Sequence, residues 1–237
     1  MRIVRAIHTI LVFLAGVITM MVFGVISIAL SYIDRSGDIP HEIARFWGWL
    51  IVKLSGVRVR IKGIENLDLK LPQVIMVNHQ GNFDIWILLA YLPVQFRWLI
   101  KHTLFRIPLL GLIMRRTGYI AVQRENPRQA VKALQEAENV LAKGKSIIIF
   151  PEGTRTLDGQ VHEFKRGGFT LANRTHTPIV PITIDGSFAI MQRNEIWVHP
   201  QEVRITIHPP VPAANLAQKD LPGLIERVHQ QIACPLH

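Results

Sequence analysis

The chain has 237 residues with a formal net charge of +10, a length that suits one globular domain with a small appendage. Hydrophobic residues make up 49% of it, a high share for a soluble protein, and its single cysteine, Cys234, excludes an internal disulfide and a cysteine metal site. The positive charge predicts an anionic partner, but the basic residues are scattered through the chain, which argues against nucleic acid.

The first predicted element is a membrane-anchoring helix. Residues 9–33 contain no formally charged side chain, and about 20 apolar residues are enough to cross the hydrocarbon of a bilayer. The alternative is a cleaved signal peptide, whose apolar core would be only about 7–15 residues long. Ser27-Ile28-Ala29 would also be a poor cleavage site, so we expect a retained anchor.

A second apolar stretch, residues 39–54, is too short and too charged to span a membrane. Trp47 and Trp49 lie close together in it, and paired tryptophans are typical of the headgroup boundary. This pattern predicts an interfacial helix or the second arm of a helical hairpin. A helix packed on the globular part, with both tryptophans in the core, remains an equal alternative. We therefore divide the chain into an anchor, 1–56, and a globular domain, 57–237.

Past the anchor, short β-like runs alternate with helical stretches. The predicted strands cover residues 57–61, 74–77, 118–122, 146–150, 179–184, 196–199 and 203–207, and the predicted helices cover residues 84–92, 127–143 and 221–233. Such alternation predicts an α/β fold. We expect a central, mostly parallel or mixed sheet of about seven strands, covered by helices and preceded by a membrane-anchoring helix or helical hairpin.

Two polar motifs each follow a predicted buried strand. One covers residues 78–84 with the sequence Asn-His-Gln-Gly-Asn-Phe-Asp, and the other covers residues 150–156 with the sequence Phe-Pro-Glu-Gly-Thr-Arg-Thr. Ligand sites in α/β proteins lie just outside the carboxyl ends of the strands. The two loops are therefore predicted to build one pocket.

His79 and Asp84 are the candidate catalytic residues. Five positions are too many for one face of a regular helix, so we expect His79 in the turn and Asp84 in the first turn of the next helix. The carboxylate can then accept from one ring nitrogen and stabilise the imidazolium. Gly81 is expected to permit a tight turn, and Asn78 to bond backbone groups within it. The alternative is a loop histidine with an aspartate placed for the helix dipole.

No good nucleophile accompanies this pair. The Gly-x-Ser-x-Gly elbow of α/β-hydrolases is absent, and Gly186-Ser187 lacks both its spacing and its strand-to-helix context. The nucleophile is then predicted to be a hydroxyl of the substrate, with His79 as a general base that contributes typically about 10²–10⁴-fold. The histidines show no metal-ligand spacing, and we predict no metal.

The second motif is predicted to hold an anion. An arginine fork such as Arg155 can bind two oxygens of a phosphate, and N–H groups around Gly153 and Thr154 can add to it. Glu152 is predicted to orient Arg155 or to bond the substrate; a buried structural ion pair between the two is the alternative. Further predicted substrate contacts are Arg124, Lys101 and Lys165, and for the two lysines a merely solvated surface is an equal alternative.

The ordered motifs make the chain recognisable. Besides residues 78–84 and 150–155, residues 118–124 (Gly-Tyr-Ile-Ala-Val-Gln-Arg) and 179–182 (Ile-Val-Pro-Ile) complete a set of four. With this set the chain resembles the 1-acylglycerol-3-phosphate acyltransferase family, within the glycerolipid acyltransferases, over roughly residues 55–215. The departures are small: a glycine at position 81 in place of a common hydroxyl or amide, and a threonine at position 156 in place of a usual serine.

The resemblance implies a membrane-anchored enzyme of phospholipid synthesis. It implies transfer of an acyl group from acyl-CoA or acyl carrier protein to the sn-2 hydroxyl of lysophosphatidic acid, with His79 as base and Arg155 as phosphate clamp, and without a cofactor. It also implies a catalytic domain on the cytoplasmic side of the cell membrane, among membrane lipids. The alternatives are acylation of another lyso-lipid such as a lyso-ornithine lipid, a lipid hydrolase in which His79 activates water, and a non-catalytic phospholipid-binding protein.

Overall fold

A seven-stranded mixed sheet lies at the centre of the protein, in a computed structural model that describes residues 2–123, 125–191 and 195–234. Its strands are β1 (Arg58–Lys62), β2 (Val74–Val77), β3 (Phe96–Lys101), β4 (Ile120–Val122), β5 (Ser146–Ile149), β6 (Ile179–Asp185) and β7 (Glu202–Ile207). The described helices are α1 (Arg2–Leu30), α2 (Asp38–Leu54), α3 (Phe83–Tyr91), α4 (Pro108–Thr117), α5 (Pro127–Ala142), α6 (Gly167–Arg174) and α7 (Leu221–Ala233).

The strand order is β1-β7-β6-β2-β5-β3-β4. Strands β6, β2, β5, β3 and β4 run parallel to one another, and β7 runs antiparallel to β6. On central strand β2, Ile75 and Val77 pack in the cluster that includes α2 and α3, while Val74 and Met76 pack in the cluster that includes α5, α6 and α7. Helices therefore cover both faces of the sheet, and the predicted α/β fold is confirmed.

The predicted strand at residues 196–199 is wrong. These residues have no regular secondary structure, and the N–H of Val198 donates to Thr9 Oγ1 of α1 at 3.1 Å. The sheet nevertheless has seven strands, because β3 takes the place of the wrongly predicted one. The sequence pattern did not indicate β3, since Arg97 interrupts its apolar run. That arginine is only 1% exposed, since its guanidinium donates to Asp38 Oδ1 of α2 at 2.7 Å.

Helix α1 is long and apolar enough to cross a membrane, and most of its apolar surface is exposed. It also contacts the rest of the protein along its length. A Cβ on Gly16 would lie 3.4 Å from Ile51 Cδ1 of α2, and a Cβ on Gly24 would lie 2.6 Å from Ile113 Cδ1 of α4. The two glycines thus allow α1 to lie close against α2 and α4.

Helix α2 packs on α3. A Cβ on Gly48 would lie 3.0 Å from both the Trp86 carbonyl oxygen and Leu89 Cβ, so a larger residue would separate the helices. The half-buried Trp47 meets Trp86 edge to face at 6.2 Å, whereas Trp49 is 41% exposed. The structure thus supports the packed-helix interpretation for Trp47 and leaves Trp49 available to solvent or lipid. The division at residue 56 stays a prediction.

A charged cluster fixes the start of α2 to the sheet. Asp38 accepts hydrogen bonds from Arg97 of β3 and from Lys145, which directly precedes β5. Both basic side chains also donate to the Ser36 carbonyl oxygen, at 3.1 and 2.8 Å. Burial alone would raise the pKa of Asp38, but these hydrogen bonds lower it overall. The hairpin of α1 and α2 is therefore held to the sheet edge opposite the two motifs.

Candidate active site

The carboxyl ends of the five parallel strands share one edge of the sheet, and both polar motifs lie there. Strands β2 and β5 are neighbours, with Met76 opposite Ile149, so the loops that follow them begin side by side. The N–H of Thr156 donates to the His79 carbonyl oxygen at 2.9 Å. The two motifs are thus in direct contact.

His79 and Asp84 form a hydrogen-bonded pair. His79 lies in the loop after β2, Asp84 is the second residue of α3, and His79 Nδ1 is 2.7 Å from Asp84 Oδ2. Because an ionised carboxylate only accepts hydrogen bonds, Nδ1 carries the proton and Nε2 is left to accept one. The carboxylate is completely buried, while the imidazole side chain is 13% exposed.

The same carboxylate oxygen also holds the backbone of the loop. Asp84 Oδ2 accepts from the N–H groups of Gln80 at 2.8 Å and Gly81 at 2.9 Å. Its position in the first turn of α3 adds the favourable end of the helix dipole. Three donors on one oxygen fix the carboxylate, and through it the orientation of the His79 ring.

An aromatic stack supports the imidazole from one side. The Phe150 ring lies 3.9 Å from the His79 ring at an interplanar angle of 12°, and the Trp98 ring lies 5.5 Å beyond Phe150 at 21°. Sequence reasoning placed Phe150 in the second motif without a role and did not single out Trp98. The contact depends on β2, β5 and β3 being neighbours in the sheet, and the order of the strands along the chain does not indicate this.

Glu152 joins two loops. It is 5% exposed; Oε1 accepts from the His79 N–H at 2.9 Å, and Oε2 accepts from the His162 N–H at 3.1 Å. Burial raises its pKa, and the two backbone hydrogen bonds offset part of that rise. Both of its oxygens therefore hold the protein's own backbone, including that of His79.

Two details of the first motif differ from expectation. The Asn78 amide exchanges two hydrogen bonds with the backbone of Ile184, at 2.9 and 2.8 Å, so it ties β2 to β6 and does not bond within its own turn. Gly81 does not have a positive φ. A Cβ there would lie 2.9 Å from the Ser187 carbonyl oxygen, so the glycine is needed for close packing and not for a special turn conformation.

The loop after β5 carries the predicted anion site. Gly153 has a φ of 80°, in the left-handed region that glycine adopts readily, and its N–H donates to the Phe150 carbonyl oxygen at 3.0 Å. Thr154 is exposed, and Arg155 is partly buried. This glycine turns the chain so that Thr154 and Arg155 follow directly on the same edge of the sheet.

The other predicted basic contacts are more dispersed. Lys101 is the exposed last residue of β3. Lys165 is also exposed, and its N–H donates to the Pro151 carbonyl oxygen at 2.9 Å, which places its backbone beside the second motif. Arg124 lies outside the described residues.

Two cavities flank the aromatic stack. The larger, of about 440 Å³, is apolar, lies between α1, α2, α3 and α4, and has Trp98 in its wall. The smaller, of about 230 Å³, is lined by Phe150, Gly153 and Lys165 together with residues of α5 and α6. The two N-terminal helices therefore supply part of the wall of the larger cavity.

Comparison with known proteins places the chain in a family. The Acyltransferase family model matches residues 58–185, which include both motifs. A 1-acyl-sn-glycerol-3-phosphate acyltransferase from Borreliella burgdorferi is 33% identical over 179 residues, which cover 76% of this chain and 72% of the relative. The chain belongs to the 1-acyl-sn-glycerol-3-phosphate acyltransferase family. His79 and Asp84 lie inside the region that the family model matches.

Relatives of this chain are found in plants and animals as well. A chloroplastic 1-acyl-sn-glycerol-3-phosphate acyltransferase from Arabidopsis thaliana is 37% identical over 173 residues, covering 72% of this chain and 48% of the relative. The human alpha enzyme of the same name is 30% identical over 180 residues, covering 76% and 64%. The chain spans about half the length of the chloroplastic relative.

A solved structure shares the fold of this chain. The crystal structure of a 1-acyl-sn-glycerophosphate (LPA) acyltransferase from Thermotoga maritima superposes with a TM-score of 0.82, covering 97% of this chain and 95% of that one at 24% identity. The likeness extends over nearly the whole chain and therefore includes the N-terminal helices as well as the sheet.

Proposed function

We propose that this acyltransferase moves a fatty acyl group from an acyl thioester to the free sn-2 hydroxyl of lysophosphatidic acid, which gives phosphatidic acid for phospholipid synthesis. One observation carries the proposal: a buried carboxylate fixes the ring of a partly exposed histidine at 2.7 Å, in a chain whose relatives are named for this acceptor.

The geometry supports a direct transfer. His79 Nε2 removes the proton from the acceptor hydroxyl as its oxygen attacks the thioester carbonyl carbon, and Asp84 stabilises the imidazolium that forms. The C–O bond forms while the carbonyl oxygen takes up the negative charge. Collapse of this tetrahedral intermediate breaks the C–S bond, and the leaving thiolate takes the proton back from the imidazolium. The products are the new ester and a free thiol.

The surroundings of His79 support a substrate hydroxyl as the nucleophile. Among the described residues, the hydrogen bonds of the imidazole go to Asp84 alone. A serine or cysteine nucleophile would need to be within hydrogen-bond reach of the ring, and none is there in that part of the chain. The catalytic pair then acts on an incoming hydroxyl.

The phosphate of the acceptor would lie on the second motif. Arg155 can grip two phosphate oxygens, with N–H groups around Gly153 and Thr154 beside it. Lys101 and Lys165 lie on the same edge of the sheet and add positive charge, as Arg124 would. Glu152 takes a different role from these side chains, because it holds the backbone of His79.

The larger cavity would receive an acyl chain. Its volume of about 440 Å³ corresponds to roughly 15 groups of water size at about 30 Å³ each, which is of the order of a fatty acyl chain. Its wall is almost wholly apolar and includes Met20 and Phe23 of α1. The N-terminal helices would thus help to bind the acyl chain as well as attach the protein to the membrane.

Helix α1 would attach the enzyme to the cell membrane, with the catalytic domain on the cytoplasmic side, where activated acyl donors are made. Its exposed apolar side chains support lipid contact, and the donor would be acyl-CoA or acyl carrier protein, with no other cofactor.

In a test with purified enzyme, several lyso-lipids and both donors, mass spectrometry should find phosphatidic acid from lysophosphatidic acid as the main product. Preference for a lyso-lipid without a phosphate monoester would overturn this acceptor.

A further inference from the structure

The stretch between the catalytic aspartate and Glu125 has an unusual charge pattern. From residue 85 to residue 124 the sequence contains no Asp or Glu. The basic residues of this stretch are Arg97, Lys101, Arg106, Arg115, Arg116 and Arg124. Arg97 is buried against Asp38, but Arg106 and Arg115 are exposed. This part of the catalytic domain therefore carries exposed positive charge that no acidic residue within the same stretch balances.

The same element exposes large apolar side chains. A short 3-10 turn, His102–Arg106, leads into α4. Leu104 is 38% exposed, Ile107 is 45% exposed and Leu112 is 37% exposed. Apolar side chains interleaved with arginines are typical of segments that lie in a membrane interface, because the apolar groups enter the headgroup boundary and the arginine side chains extend toward the phosphates.

This element is continuous with the N-terminal helices. Helix α4 lies against α1 where Gly24 meets Ile113. At the turn between α1 and α2, the Arg116 guanidinium lies 4.4 Å from the centre of the Tyr32 ring, and its NH2 donates to the Tyr32 hydroxyl at 3.2 Å. Tyr32 and Ile33 are themselves 65% and 80% exposed. The exposed apolar surface of the anchor thus continues onto the catalytic domain.

We propose that residues 102–117 form a second lipid-contacting element, which lies in the headgroup region of an anionic bilayer. The proposal rests on the proposed membrane attachment and extends it from the anchor to the catalytic domain. Because the element begins one residue after Lys101 at the carboxyl end of β3, its contact with lipid holds the active-site edge at the membrane surface. A lyso-lipid then reaches His79 without leaving the interface.

A depth measurement on the full chain in vesicles tests this contact. In a Cys234→Ser background, Ile107→Cys would carry an environment-sensitive fluorophore, and Val131→Cys on α5 would be the matched control. Val131 is 51% exposed and belongs to a helix that packs on the opposite face of the sheet. In phosphatidylcholine–phosphatidylglycerol vesicles, lipids with a shallow quencher should quench the probe at residue 107 and leave the probe at residue 131 unaffected.

The role of charge is tested separately. Arg106→Glu removes one positive charge and adds a negative one, and each charge near an anionic surface changes the contact equilibrium by roughly five-fold. The contact equilibrium should therefore fall by about 25-fold in the anionic vesicles, the quenching at residue 107 should fall with it, and high salt should reduce the quenching in the parent protein as well. Lys132→Glu on α5 is the charge-matched control and should change nothing.

The outcomes separate this proposal from the proposed function. A parent protein that stays out of the vesicles would contradict the membrane attachment itself. A protein that is attached and active, but whose residue 107 is as unquenched as residue 131, would overturn the second contact alone. If the probe at residue 107 is unquenched in the parent and Arg106→Glu raises only the KM for an acyl carrier protein donor, the element binds the donor protein, and the lipid proposal is wrong.

Discussion

The loop of the first motif, residues 78–84, and the basic side chains near it lie on the same edge of the sheet but are held very differently. In this loop, Asp84 receives three hydrogen bonds and the backbone of His79 is held by Glu152. Lys101 and Lys165, in contrast, are exposed. Proton transfer needs atoms fixed at hydrogen-bond distance, whereas a phosphate can be attracted by long, mobile side chains. The difference predicts that changes in the loop affect chemistry and changes among the basic residues affect binding.

The largest effect is expected from His79→Ala. Because a general base is typically worth at least about 10²-fold, kcat should fall by that factor or more. The protein should stay folded and attached to membranes, since the ring is partly exposed. Steady-state assays with lysophosphatidic acid, together with circular dichroism, measure both. Residual activity above about a tenth of the parent's would contradict the role of base.

Asp84→Asn should be nearly as damaging. The side-chain oxygen of asparagine can still accept from the Gln80 and Gly81 N–H groups, so the loop should keep its shape. The neutral amide oxygen cannot stabilise an imidazolium as a carboxylate does. A kcat near that of the parent, with an intact fold, would show that the carboxylate only shapes the loop.

Arg155→Lys tests the other side of the comparison. Lysine keeps the charge but loses the two-pronged geometry, so the KM for the acceptor should rise by about tenfold while kcat changes less, since one charged hydrogen bond is worth about 1.5–3 kcal/mol. Kinetics with the acceptor and the donor varied in turn separate the two substrates. A raised donor KM with an unchanged acceptor KM would assign Arg155 to the donor.

Phe150→Leu should lower kcat several-fold. The phenyl ring lies flat against the imidazole at 3.9 Å and so holds its orientation toward the acceptor hydroxyl. Because the loss is one of orientation, the KM values for both substrates should change less than kcat. Phe150→Tyr keeps the ring face and should behave like the parent. A kcat for Phe150→Leu equal to that of the parent would reduce the stack to simple packing.

The smallest expected effect is that of Glu152→Gln on how the free energy of unfolding depends on pH. Burial raises its pKa in the folded protein above the ordinary value of 4.5. At pH values between 4.5 and this raised pKa, the folded state binds more protons than the unfolded state. The free energy of unfolding therefore falls as the pH rises through this window. Glutamine does not titrate, and Glu152→Gln should therefore lose that part of the pH dependence. Unfolding by denaturant at several pH values checks it; parallel stability profiles for variant and parent would contradict the assignment.

Much of the fold could be predicted from sequence where the pattern is local. Helix α5 begins where expected because the Asn126 side chain accepts from the N–H groups of Arg128 and Gln129, and α7 has the predicted bounds. Strand β3 could not be predicted, because the burial of Arg97 depends on Asp38, far away in the sequence. The apolar residues 196–199 look like a strand but pack against α1, a contact that no local pattern indicates.

The candidate site divides in the same way. The contact of His79 with Asp84 follows from their spacing and the helix start between them. The stack of His79 on Phe150 and the hydrogen bonds from Asn78 to β6 depend on which strands are neighbours, and chain order does not give strand order. The hydrogen bonds of Glu152 were likewise out of reach, because its partners are backbone groups of two other loops.

The central claim is that the acceptor's own hydroxyl attacks the thioester once His79 has taken its proton. Release of free thiol from the donor, followed with and without lysophosphatidic acid, tests this most directly. The account predicts no burst of thiol and no acyl-enzyme without the acceptor. Adding lysophosphatidic acid should give equal amounts of thiol and phosphatidic acid, and this release should be lost in His79→Ala. One thiol released per enzyme molecule without the acceptor, or steady formation of free fatty acid, would contradict it.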